Sequence, residues 1–68
     1  MKWLIKKYMA EQHIESWDEL ANETGMQART IYNRLNDPRK LRLFEIEALD
    51  SVLHFNDEDL LKLAKGNF

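Results

Sequence analysis

Cysteine is absent from the 68-residue chain. That excludes disulfides, thiolate metal sites and cysteine nucleophiles together. His13 and His54 stand without partners at zinc-ligand spacing, so no metal site is expected. Only one proline and two glycines interrupt the chain. Long alternations of β-branched or aromatic residues are missing, and helices are the expected elements. No apolar run approaches membrane length. The run near the N-terminus, Trp3-Leu4-Ile5, ends after three residues, too short for a signal peptide or a span. The expectation is a cytoplasmic protein with no membrane partner. A chain of this length holds one core, so residues 1–68 are read as a single domain. So small a core leaves little scaffold around a catalytic cleft. No Ser–His–Asp or paired-carboxylate pattern is present either. The protein is therefore expected not to be an enzyme and to need no cofactor or small-molecule ligand.

Net charge is only −2, but it is unevenly distributed. Residues 1–10 hold three lysines and no acid, and residues 11–25 hold five acids and no base. Residues 26–42 carry Arg29, Arg34, Arg39, Lys40 and Arg42 against Asp37 alone, for +4. Residues 43–61 hold six acids and no base. A mildly acidic total thus conceals one basic segment.

Helix punctuation is legible in several places. Ser16-Trp17-Asp18-Glu19 reads as a capping box, in which the Ser16 hydroxyl accepts from the Glu19 N–H and the Glu19 carboxylate reaches back. Gly25 supplies a left-handed residue that ends the helix so begun. Asn56 caps a last helix whose first turn carries Asp57, Glu58 and Asp59, with Lys62 and Lys65 near its end and Gly66 as its stop. Pro38 closes a helix that starts near Gln27. The pattern predicts five helices at about 2–12, 16–24, 27–36, 43–54 and 57–65. The fourth lacks a capping residue at its start, although Leu43, Ile46, Leu49 and Leu53 form an apolar stripe at helical spacing. Leu4, Ile5, Tyr8 and Met9 read as the core face of the first helix, with Met26 as further core filler. Glu45, Glu47 and Asp50 read as a solvated face that would repel DNA, which points the fourth helix away from it.

The second and third helices are joined by a few residues centred on Gly25, so they must cross steeply. Leu20 and Ala21 on one side, and Met26, Ile31 and Leu35 on the other, lie where that crossing needs apolar groups. In Leu20-Ala21-…-Gly25-Met26-…-Thr30-Ile31-Tyr32-…-Leu35-Asn36 the chain resembles the small repressor domains of the Cro and lambda-repressor-like helix-turn-helix family. The five-helix layout extends the likeness over about residues 2–65. The resemblance implies an all-α, compact five-helix domain whose helix-turn-helix unit spans about 16–36. Where the family often has glycine after its third helix, this chain reads Asn36-Asp37-Pro38.

With Ile31 and Leu35 facing the core, Gln27, Ala28, Arg29, Tyr32, Asn33 and Asn36 face outward or sideways. A helix fits the major groove, where Gln pairs with adenine, Arg with guanine, and a small methyl touches thymine. The resemblance places base contacts at Gln27, Ala28, Arg29, Tyr32 and Asn33. Ser16 and Trp17 would offer backbone N–H groups to a phosphate, and Arg39 and Lys40 would clamp the backbone. Tyr32 has an alternative role, laying its ring on a neighbouring helix, and Trp17 has the same one. The implied function is that of a sequence-specific transcriptional regulator, most simply a Cro-like phage or prophage repressor. One helix reads only a few base pairs, so the partner would be a pseudo-palindromic operator bound by a homodimer, with half-sites about 34 Å apart. Leu61, Leu63 and Phe68 are candidate dimer contacts, with Trp3 a weaker one; the alternative is that they complete the monomer core. Two rival functions stand beside this one. The first is a protein-interaction module (an adaptor, antirepressor or antitoxin) on the same fold, and the second is a non-specific architectural or recombination factor.

Overall fold

The computed structural model describes residues 1–66, and Asn67 and Phe68 lie outside the description. The chain forms α1 (Lys2–Glu11), α2 (Trp17–Thr24), α3 (Ala28–Asn36), a 3₁₀ turn (Pro38–Lys40), α4 (Leu43–Leu53) and α5 (Asp57–Lys65). Among the described residues there is no strand. None of these helices is long and apolar enough to cross a membrane. All five predicted helices are present, so the fold is all-α.

Local chemistry accounts for most helix ends. Ser16 Oγ accepts from the Glu19 N–H at 3.1 Å. The Glu19 carboxylate reaches one residue further back than a capping box requires, to the Glu15 N–H at 3.1 Å. Gly25 ends α2 at φ 74°, and its N–H donates to the Ala21 carbonyl at 2.9 Å. That left-handed angle is strained for any residue with a Cβ. Asn56 Oδ1 accepts from the Asp59 N–H at 2.7 Å. Pro38 does more than close α3: it opens the 3₁₀ turn, in which Leu41 N–H donates to the Pro38 carbonyl at 3.1 Å.

The start of α4 was the least readable boundary, and the reason is a residue read differently from the sequence. Glu45 is not part of a solvated face; only 2% of it is exposed. Its carboxylate accepts from the Arg42 N–H at 2.9 Å and from Arg34 Nε at 3.0 Å. Arg42 is the N-cap, but its side chain can only donate and cannot reciprocate. Glu47 is exposed as expected, while Asp50 is half-buried and accepts from the Phe55 N–H at 3.0 Å.

Ile5, Leu20, Ile31 and Leu53 are the largest fully buried side chains, and they bring α1, α2, α3 and α4 to one core. Ile46, Leu49 and Leu53 of the predicted α4 stripe are buried, but Leu43 is 67% exposed. Leu43, the first residue of α4, stays out of the core and borders a groove between α4 and α5. Leu63 is also corrected: at 2% exposure it belongs to the core and cannot serve as a dimer contact. Asp59 does more than complement the helix dipole. It is buried and accepts a hydrogen bond from the Tyr8 hydroxyl, which in turn accepts from the Asn56 N–H at 3.2 Å. The Tyr8 ring meets Phe55 edge-on at 4.8 Å. Through Tyr8, α1 is therefore fastened to the start of α5 by both apolar and polar contacts.

Candidate nucleic-acid interface

The α2–α3 unit is held at its turn by a side chain the sequence did not single out. Thr24 Oγ1 donates to the Leu20 carbonyl at 2.8 Å and accepts from the Met26 N–H at 3.3 Å. A hydroxyl that bonds back to the preceding turn and forward past Gly25 fixes how the chain leaves α2. Leu20 and Ala21 of α2 and Ile31 and Leu35 of α3 then meet in the core.

Burying Ile31 and Leu35 turns the rest of α3 outward. Arg29, Tyr32, Asn33 and Asn36 are all exposed, and their spacing puts them on one helical face. Gln27 is the N-cap of α3 and is exposed, and its side chain makes no capping bond. Its amide thus stands beside the head of α3. Ala28 is only half-exposed and rests against the core, so it lies at the edge of this face. Together Gln27, Arg29, Tyr32 and Asn33 supply donors, acceptors and one amphipathic ring, the chemistry needed to read base edges in a major groove.

Two aromatic residues of this region are covered by lysines from α1. Lys2 Nζ stands 5.0 Å from the centre of the Tyr32 ring, and Lys6 Nζ stands 6.0 Å from that of Trp17. Tyr32 remains 49% exposed, so its ring is flanked by Lys2 but not enclosed. Trp17 is half-buried against the core and is chiefly a packing residue. The lysines had a signal in the sequence: Lys2 and Lys6 are four residues apart in a segment with no acid, which sets both on one helix face. They extend the basic surface beyond residues 26–42. Lys6 lies beside Glu15, Ser16 and Trp17 and so offsets part of the negative charge at the start of α2.

Arg39 and Lys40 project from the 3₁₀ turn, with side chains 89% and 68% exposed. Each approaches Asp37, at 3.4 Å and 4.0 Å. Exposed pairs of this kind contribute little, so Asp37 competes only weakly with a stronger anion such as a phosphate for these two cations.

The start of α4 does not turn away from this surface. Gln27, Thr30 and Arg34 border a shallow cleft whose far wall is Arg42, Phe44 and Glu45. Glu45 can stand so close to the basic face because it is buried and paired with Arg34. Phe44 is 63% exposed at the rim, a large apolar ring that the sequence reading did not place. The whole surface is thus built from α1, the start of α2, α3, the 3₁₀ turn and the start of α4. Leu61 is 54% exposed on α5 and Trp3 is 76% exposed on α1; Phe68 lies outside the described residues.

Among known proteins, a family model described as a Cro/C1-type HTH DNA-binding domain matches residues 5–66. No curated protein and no solved structure matches the chain.

Proposed function

Because the chain belongs to the Cro/C1-type helix-turn-helix DNA-binding domain family, we propose that it is a sequence-specific transcriptional regulator of the phage or prophage repressor type. In this reading α3 enters the major groove, with Gln27, Arg29, Tyr32 and Asn33 reading base edges and Ala28 touching a thymine methyl from the edge of the face. Lys2, Lys6, Arg39 and Lys40 hold phosphates, together with the backbone N–H groups at Ser16 and Trp17. The role is binding without a catalytic step, at work in the cytoplasm. The observation that carries the proposal is the division of labour on α3: its apolar residues are consumed by the core, while Arg29, Tyr32 and Asn33 stay exposed on one face.

Binding as a homodimer to a pseudo-palindromic operator follows from size, because one helix of this length spans too few base pairs for useful specificity. Of the apolar residues expected at the seam, Trp3 on α1 is exposed in a stretch of chain without acids, whereas Leu61 on α5 is exposed beside Glu47, Asp50 and Asp57, so Trp3 is the residue we assign to the seam.

The test is a titration of the full chain with random duplex DNA at low salt, followed on backbone amides by NMR. Selection of bound sequences from a randomised pool comes next. Shifts at residues 16–17, 27–33 and 39–40 and a two-fold-symmetric selected site are expected. Shifts elsewhere would reject the DNA face. Selection without any consensus would reject a sequence-specific regulator and leave the architectural role.

A further inference from the structure

We propose that the groove between α4 and α5 is a docking site for a basic amphipathic helix of a partner protein. Its floor and walls are Leu43, Ile46, Leu60, Leu61 and Ala64. Leu43 and Leu61 are 67% and 54% exposed, so apolar surface is left uncovered on both sides of the groove. Leu43 and Leu61 border one groove on neighbouring helices, so their exposed surface is shared and not scattered singly. The remaining lining residues are Glu47, Asp50 and Asp57, and among the described residues no lysine or arginine lines the groove. An apolar trough between acidic rims is complementary to a helix with apolar anchors down one stripe and lysines or arginines beside it. The α4 wall runs from Leu43 to Asp50, about 10 Å at the rise of a helix, which suits two turns of a docked helix.

The same rim disfavours a second copy of this chain as the occupant. A two-fold interface sets one patch against itself. Here that would set the acidic group Glu47, Asp50 and Asp57 of one copy close to the same group of the other, with no lining cation between them. Trp3 is then the residue left for self-association. No residue of the groove is among those proposed to touch DNA, so a partner can dock while DNA is held.

The test uses the full chain and a fluorescent lysine-flanked peptide of about 16 residues, long enough to hold a helix, with leucines at i, i+3, i+4 and i+7. Two control peptides carry glutamates in place of the lysines, or the same composition scrambled. The lysine peptide is expected to bind and to shift the amides of residues 43–50 and 57–64. Leu61→Ser should weaken it about tenfold, and a Glu47→Gln, Asp57→Asn double variant should weaken it and flatten its salt dependence. DNA binding by these variants should be unchanged, which separates failure here from failure of the DNA reading. Equal binding of the glutamate or scrambled peptide would overturn the proposal. So would a concentration-dependent dimer, seen by sedimentation, that Leu61→Ser abolishes, since that outcome assigns the groove to a second copy.

Discussion

Arg34 of α3 and Glu45 of α4 are joined through Arg34 Nε at 3.0 Å, with the Glu45 side chain 3% exposed and that of Arg34 21% exposed. The pair ties the helix proposed to enter DNA to the one that follows the basic turn. The carboxylate also takes the Arg42 N–H, so a single buried group holds α3 and the start of α4 together. Removing one member of a buried pair leaves the other uncompensated. Glu45→Ala is expected to lower stability by about 2–3 kcal/mol, measured by urea unfolding. A double-mutant cycle with Arg34→Ala should give a coupling of about 1–2 kcal/mol. A coupling near zero would mean that the pair behaves as an ordinary surface contact.

Arg29→Ala should weaken specific binding by about 1–3 kcal/mol and relax selectivity at one base pair. Competition binding with single-base variants of the selected site is the check. An equal loss on every sequence would make Arg29 a phosphate contact.

Lys40→Ala should weaken binding uniformly and reduce the salt slope by about one. Asp37→Asn should do the opposite to affinity, because it frees Arg39 and Lys40 from a competing carboxylate. Fluorescence anisotropy at several salt concentrations reads both. If Asp37→Asn binds DNA no more tightly, the 3₁₀ turn does not clamp the backbone.

Tyr8 gives a prediction in pH. Burial raises its phenol above the ordinary value of 10.0, with further upward contributions from the Asp59 hydrogen bond and carboxylate charge and a downward one from the Asn56 N–H. Between 10.0 and the folded-state value, the folded chain keeps a proton that the unfolded chain loses. This stabilisation is therefore complete below the unfolded value and is lost as pH rises through the folded one. Urea unfolding across the alkaline range should show stability falling with pH, and Tyr8→Phe should flatten that fall. At neutral pH the same variant leaves Asp59 buried without its donor, at a cost of about 1–3 kcal/mol. An unchanged alkaline slope in Tyr8→Phe would assign the loss to other groups.

The legible parts of this molecule were those decided within a few residues. Ser16, Gly25, Asn56 and Gly66 act on backbone groups beside them, so their effect can be read from the chain alone. Glu45 could not be, because its partner Arg34 is eleven residues away and its burial depends on how α3 and α4 pack. Asp59 was half-legible: its place in the first turn of α5 was readable, but its bond to Tyr8 spans 51 residues. Leu61 and Leu63 show the same limit at a helix surface. They are both leucines two positions apart, and only the placement of α5 decides that Leu63 enters the core while Leu61 faces out. In the interface, the outward face of α3 followed from the inward set Ile31 and Leu35. Lys2 and Lys6 reach it from a helix far away in sequence.

On α3 the residues that hold the fold and those that would read a target are different residues. Ile31 and Leu35 anchor the helix, while Arg29, Tyr32 and Asn33 are free of the core. Preference for a DNA site can then drift, or be rewritten in the laboratory, at those three positions and at Gln27 with little penalty in folding. Arg34 is the exception on that helix, since a change made there to alter recognition would also loosen α4. A library for new targets should vary the first group and keep Arg34 constant.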